Sequence, residues 1–489
     1  MCCPSVKLLR TPCDNFVKIE LFRILLAGAD AVPHSRPTMA ETPSQSLSSA
    51  ARYAMLIVAF LGWFLGGIQI GITNLAMRPA ALALMDEAGQ LDGEQFAELS
   101  KVKKDALKGS AEPLGEADAA QLVKWEGMAT SWYAYFQCAF LFGAAAGGWV
   151  FGLLGDRIGR TRALALSIIW FSALTGLSYL SRNPMHLLIF RFMACLGVGG
   201  CWPNGVALVS EAWSKIARPV MASLIGMAGN VGIFTVATVL TTPEYAVTPE
   251  SWRWILQLGG VPVLLGVVIF FAVKESPAWL AARHESATVD SAPSVFRKPY
   301  LAVTLIGIAL ATVPLFGGWG GANWMIPWAG EIGPATLGPK IGQVRSITSI
   351  IGCALAAVIA LSIGRRTCYF LTSLGALAVA QYAYWFTTPI DDGFLIWVAL
   401  WGVFNGIFFG WLPFFLPELF ETKIRATGAG VSFNFGRILT ASLIFLTPAV
   451  KAHFDGNYAH IGRVTSLVFV FGMIAILFAP DTTKRDMDK

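Results

Sequence analysis

Two arginines stand inside long apolar runs, where a charge is expensive. Arg437 lies about 11 residues into the run 426–449, and Arg191 about 5 residues into the run 186–210. A charge at the centre of a hydrocarbon layer costs at least about 2.5–3.5 kcal/mol, so such a group turns toward a wet cavity and marks a pathway. No acid sits at comparable depth, because Glu211, Glu275 and Glu418 lie at the ends of their runs. Fixed positive charge without a carboxylate partner suits an anionic substrate, and the planar guanidinium fork can donate two parallel bonds to a carboxylate. The alternative for either arginine is packing, bonded to helix-end carbonyls. Amides supply the remaining polar groups within or beside these runs: Gln69, Asn74, Asn204, Asn230, Asn323, Asn405 and Asn434. Together they can bind carboxylates or hydroxyls, although a single Asn is as readily an interhelical hydrogen bond worth about 0.6 kcal/mol. The segment GGWGGANWMIPW places four glycines around Trp319, followed by Asn323 and Trp324, and reads as a broken helix serving as an external gate. The plainer reading of its tryptophans is the interfacial belt of a membrane helix.

These residues need elements that cross a membrane. The chain has 489 residues, 55% hydrophobic and only 13% charged, where a soluble domain carries about 25% charged residues. Continuous apolar runs of about 20 residues match a hydrocarbon core about 30 Å thick and lack the alternation of a membrane β-barrel. Twelve spans are expected: 55–77, 130–153, 163–180, 186–210, 219–241, 253–273, 300–320, 344–363, 368–387, 394–416, 426–449 and 462–479. The fold class is therefore an all-α membrane protein. Residues 1–50 read as a disordered cytoplasmic tail, with Met39 as an alternative start, and 51–273 as a first six-helix bundle with a long external loop at 86–126. A cytoplasmic linker at 274–299 follows, then a second bundle at 300–479 and a tail at 480–489. Basic residues in short loops, among them Arg157, Arg160, Arg162, Lys215, Arg218, Arg365, Arg366, Lys423 and Arg425, set that side as cytoplasmic, with both termini there. This role accounts for the net charge of +6 without a nucleic-acid partner. Five of the eight cysteines, Cys138, Cys195, Cys201, Cys353 and Cys368, lie in or beside apolar runs; no disulfide, metal site or cofactor is expected.

An internal repeat divides the chain into equivalent halves. Glu211 and Arg218 in SEAWSKIAR answer to Glu418 and Arg425 in PELFETKIR at an offset of 207, and Arg160 answers to Arg365 at 205. Glu275 answers to Asp481 at 206, and Asn230 to Arg437 at 207. Six spans per half keep the copies parallel, related by an axis along the membrane normal and enclosing a central cavity, the geometry of a transporter.

The segment GLLGDRIGRTR at 152–162 resembles the signature loop between the second and third helices of the major facilitator superfamily. RFMACLGVGG at 191–200 resembles that family's fourth-helix motif, and VKESPAWL at 273–280 its sugar-porter sequence after helix six. LPELFETKIRATGAGVSFNFGRI at 416–438 is similar to the metabolite:proton symporter branch, which takes up sialic acid, lactate and pyruvate, or aromatic acids. The resemblance covers residues 50–484 and implies two rocking bundles, with bending of helices one, four, seven and ten around the substrate. It also implies proton symport. The first helix departs from that branch: WFLGGIQ places Gly66 and Gln69 where two acids stand in the family pattern, and the second signature loop carries Leu361 and Ser362 in place of an Asp-Arg pair.

Asp156, Arg157 and Arg160, with Glu211 and Arg218, form a set of opposite charges that reads as a cytoplasmic gate, matched in the second half by Glu418 and Arg425. Fixing topology and capping helices is the competing role for the same residues. The reading is a monomeric secondary transporter of a small organic anion, a monocarboxylate or sialic-acid-like sugar acid. A neutral sugar carrier of the same fold and a non-transporting sensor are the alternatives. No nucleophile with a base and no phosphate-cradling loop supports an enzyme.

Overall fold

The computed structural model describes residues 48–107, 109–212, 218–275, 279–280, 295–420, 425–453 and 457–482. The expected amino-terminal tail lies almost wholly outside these residues, as do most of the linker and the end of the carboxy-terminal tail. Helices that are apolar on every side must be shielded by lipid or by one another, and bulky side chains such as Trp149, Leu264 and Phe271 are exposed on the outer surface. The first half comprises Ser49–Glu87 (α1), Glu116–Ile158 (α2), Arg160–Leu177 (α3), Pro184–Ala212 (α4), Arg218–Leu240 (α5) and Arg253–Ala272 (α6). The second comprises Leu301–Ile332 (α7), Leu337–Ile363 (α8), Arg365–Phe386 (α9), Phe394–Glu418 (α10), Arg425–Phe445 (α11) and Tyr458–Leu477 (α12). By length and composition, ten of these can cross a membrane; α5 contains a shorter apolar stretch, and α9 has 22 residues, enough for about 33 Å. The protein is an all-α multi-pass membrane protein.

Glycine packing repeats between the halves. A Cβ on Gly147 of α2 would collide with the Leu196 carbonyl of α4, and one on Gly199 of α4 with Ala144 of α2. The same reciprocal contact joins α8 and α10, where Gly352 meets Val403 and Gly406 meets Ser349. These pairs are offset by 205 and 207 residues, so the repeat seen in the charged loops extends to the backbone contacts that bring the helices together. The tight turns after α2 and α8 repeat as well: Gly159 has φ +109° and Gly364 has φ +89°, the left-handed region that favours glycine.

Several helices run past the expected boundaries. α1 continues through Pro79 to Glu87, and α2 begins at Glu116. The loop between them holds a further helix, Gly93–Leu107, whose Leu99 packs with Leu82, Met85, Leu91, Leu122, Trp125 and Ala129 in a second small core. This segment, expected as a long loop at 86–126, is a folded cap, because its few apolar residues find partners on the extended ends of α1 and α2. Below, the end of the bundles bearing this cap is the hairpin face, and the end bearing Arg157, Arg160, Arg365 and Arg366 the arginine face.

Candidate functional site

The two halves enclose a cavity of about 570 Å³, within the range of small-molecule sites. It runs from Asn74 and Asn323 at its deep end to Arg160 and Leu416 toward the arginine face. Helices from both halves build its wall: α1 and α4 supply Trp63 and Trp202, α5 supplies Asn230, and α7, α8, α10 and α11 supply Trp319, Arg345, Asn405, Asn434 and Arg437. Of the sequence-derived candidates, Asn74, Asn230, Trp319, Asn323, Asn405, Asn434 and Arg437 meet here.

Arg437 is buried, with its Nη1 at 3.4 Å from both the Ala144 carbonyl of α2 and Asn434 Oδ1, and its guanidinium 4.7 Å from the centre of the Phe433 ring. These are long bonds, so the guanidinium is only loosely engaged. Asn230, its repeat mate, lines the same cavity and donates to Cys353 Sγ across the halves at 3.7 Å. Sequence reasoning missed Arg345 of α8. It lines the cavity, and its Nη1 is buried without a hydrogen bond. The charged residues on the wall are Arg160, Arg345 and Arg437; no Asp or Glu belongs to it among the described residues.

Three expected site residues lie elsewhere. Arg191 is 1% exposed and donates to Gln69 Oε1 (3.1 Å), the Gln69 carbonyl (3.3 Å), Thr73 Oγ1 (2.8 Å) and Thr175 Oγ1 (3.5 Å). Gln69 also donates to the Gly259 carbonyl at 3.3 Å and accepts from Thr175 Oγ1 at 2.9 Å. This network ties α1, α3, α4 and α6 together behind the cavity wall, so oxygen dipoles within one half engage both Nη atoms of Arg191, while its Nε is buried without a hydrogen bond. Asn204 donates to the carbonyls of Phe151 at 3.0 Å and Gly200 at 2.9 Å, a bond between α4 and α2.

The deep end of the cavity is closed where α7 breaks. A π-helical turn, Gly317–Gly321, and a 3-10 turn, Ala322–Trp324, follow Pro314, whose missing N–H loosens the helix just before them. Asn323 Nδ2 donates to Asn74 Oδ1 across the halves at 3.0 Å. Trp319 stacks on Phe140 of α2 at 4.8 Å, and Trp324 packs against Tyr133 of α2 at 5.5 Å.

At the arginine face, Glu418 accepts from Arg365 at 3.2 Å and from Thr482 Oγ1 at 2.6 Å. Glu275 accepts from the Thr161 amide at 3.1 Å, a carboxylate at the amino terminus of α3. Both contacts lie inside one half and brace that half. Arg157 is exposed and Arg160 reaches the cavity wall, while the side chains of Asp156, Glu211, Arg218 and Arg425 lie outside the described residues. Among the described residues no group of three or more His, Cys, Asp or Glu is placed to hold a metal.

The Major Facilitator Superfamily matches residues 118–444. The probable 4-methylmuconolactone transporter of Cupriavidus pinatubonensis is 29% identical over 351 residues, covering 69% of this chain and 79% of that protein. The cis,cis-muconate transport protein of Acinetobacter baylyi is 28% identical over 352 residues, covering 69% and 83%. Among solved structures, the inward-open xylose transporter XylE of E. coli shares the fold with a TM-score of 0.62 at 18% identity, covering 89% of this chain and 98% of that one. The chain belongs to the Major Facilitator Superfamily, as a membrane transporter of small metabolites rather than an enzyme.

Proposed function

We propose that this protein carries a small organic anion, a monocarboxylate or a sialic-acid-like sugar acid, by alternating access with proton symport. One observation carries the reading: the cavity wall holds Arg345 and Arg437, deep between the halves, and no carboxylate among the described residues. An anion entering this site completes a charge balance that the protein leaves open, and Arg345 and Arg437 offer fork geometry to receive it. The muconate carrier among the relatives supports an acid as cargo. In this reading the arginine face is cytoplasmic, the termini lie on that side, the protein works as a monomer in the cell membrane, and the cavity faces inward. The proton carrier lies away from Gln69, which is an amide engaged with Arg191 and Thr175.

A neutral sugar is the second reading, favoured by Trp63, Trp202 and the asparagines on the same wall. Uptake into liposomes of a labelled monocarboxylate, a sialic acid and a hexose separates the two. Anion uptake that needs Arg345 and Arg437 supports the proposal; hexose uptake that survives Arg437→Gln replaces it. Anion uptake indifferent to an imposed proton gradient would remove symport and leave facilitated diffusion.

A further inference from the structure

Beyond the cavity's closed end, the two halves meet through buried charges that the substrate wall does not include. Arg78 follows Asn74 by one turn of α1, about 6 Å along the helix. Its Nη2 lies 3.1 Å from Glu331 Oε1, at the end of α7 in the other half. The same carboxylate oxygen accepts from Lys451 Nζ at 3.2 Å, from the short helix Thr447–His453 that follows α11. Lys451 also donates back across the interface to Thr130 Oγ1 of α2 at 3.0 Å, and Thr130 meets Tyr458 Oη at 3.2 Å. Close by, Glu126 of α2 binds Lys103 of the hairpin helix at 2.8 Å. Glu331 and Lys451 are buried, and the Arg78 side chain is 14% exposed.

The arrangement of partners is asymmetric. Glu331 is shared between a cation of its own half, Lys451, and a cation of the opposite half, Arg78. Glu126 has its cation, Lys103, on its own side. If the halves separate here, both carboxylates keep an ion pair within their own half; the one ion pair that breaks among these is Arg78–Glu331, together with the neutral contacts of Thr130 to Lys451 and Tyr458. Breaking a buried pair is costly because it strands a charge in a dry place; this geometry avoids that cost. Glu331 also lines a second cavity of about 590 Å³ at the hairpin face, with Tyr384, Tyr458 and Arg463, so water has a route to the pair as it parts.

We propose that Arg78, Glu331 and Lys451 form the latch of the hairpin face, in which Arg78–Glu331 is the bond that breaks and Lys451 holds Glu331 while the face is open. Arg78 is a positioning residue, setting the balance between the two states without touching the substrate. The inference rests on the alternating-access reading above, but its first test needs no transport. Hydrogen–deuterium exchange on the purified full chain, read over residues 74–87 and 325–332, measures opening of this face. Arg78→Gln is expected to speed exchange there by about tenfold or more, while residues 184–212 around Arg191 exchange as in the wild type and Arg78→Lys restores protection. Unchanged exchange in Arg78→Gln overturns the latch; a uniform rise along the chain, residues 184–212 included, also overturns it by making Arg78 a fold residue. Uptake supplies a second reading. Because the apparent affinity for external substrate scales with the outward-open fraction, Arg78→Gln lowers the KM for external anion, the opposite of damage to the binding site. A raised KM would contradict the proposal. If the wild type moves no anion at all, the functional reading fails, while the exchange measurement still decides the latch.

Discussion

Arg437→Gln and Arg191→Gln remove the same charge from two depths of the membrane, and the structure assigns them opposite consequences. Arg437 is held by two bonds of 3.4 Å and the face of Phe433, so its loss costs the fold about 1 kcal/mol. Against a bound carboxylate it would supply charge-assisted hydrogen bonds worth about 1.5–3 kcal/mol, so Arg437→Gln weakens substrate binding about 10- to 150-fold. Gln keeps the length and an amide donor, so the loss reports charge more than volume. Arg191 makes four bonds of 2.8–3.5 Å inside one half and does not line the cavity. Its replacement leaves the oxygens of Gln69, Thr73 and Thr175 short of donors and lowers thermal stability by about 2 kcal/mol or more, with Kd unchanged in the protein that remains folded. Equilibrium binding of a labelled carboxylate to purified protein, paired with thermal melts, reads both quantities. Arg437→Gln that binds as tightly as wild type, or Arg191→Gln that loses affinity without losing stability, would refute the assignment.

Arg345→Gln lowers carboxylate affinity by a similar factor and leaves the melting temperature within about 2 °C of wild type, because its Nη1 makes no hydrogen bond to lose. Gln69→Glu gives Arg191 a carboxylate at the position of an atom 3.1 Å away but turns the Nε2 donor to the Gly259 carbonyl into an acceptor, so the two effects offset and the melt is expected to stay within about 1 kcal/mol of wild type, with substrate Kd unchanged. Glu418→Gln removes a carboxylate contact of the largely buried Arg365 and costs about 1–3 kcal/mol, seen as a lower melting temperature. Gly317→Ala pushes a methyl group into the Phe469 ring at the π-helical turn; it costs about 1–3 kcal/mol and slows uptake more than it weakens binding.

Hydropathy and spacing made the membrane class, the twelve passes and the repeat legible, because each rests on local sequence. Arg437 was legible for the same reason, a charge in the middle of an apolar run. Arg345 was not, because Lys340 and Gln343 break the hydropathy and make the eighth span look as if it starts at 344, which puts Arg345 at its edge, whereas α8 begins at Leu337. The helix continues past the apolar window since its backbone bonds are indifferent to polarity, and the bundle interior supplies a polar wall. Arg191 shows the reverse limit. Its depth was correct as an anomaly, but which face of α4 it occupies depends on Gln69, 122 positions away. Glu331 carried no signal at all: GEIGPATLGPK reads as a loop, and its partner Arg78 stands 253 positions earlier, just past the expected end of the first span at 77.

Net charge on the cargo decides between an anion carrier and a sugar carrier, and a matched pair of substrates isolates it. Uptake into proteoliposomes is measured for one labelled carboxylic acid and for its primary amide, equal in shape and lacking the charge. Saturable uptake of the acid and none of the amide is expected. Equal uptake of both, or uptake of a hexose but not of the acid, would contradict the anion carrier.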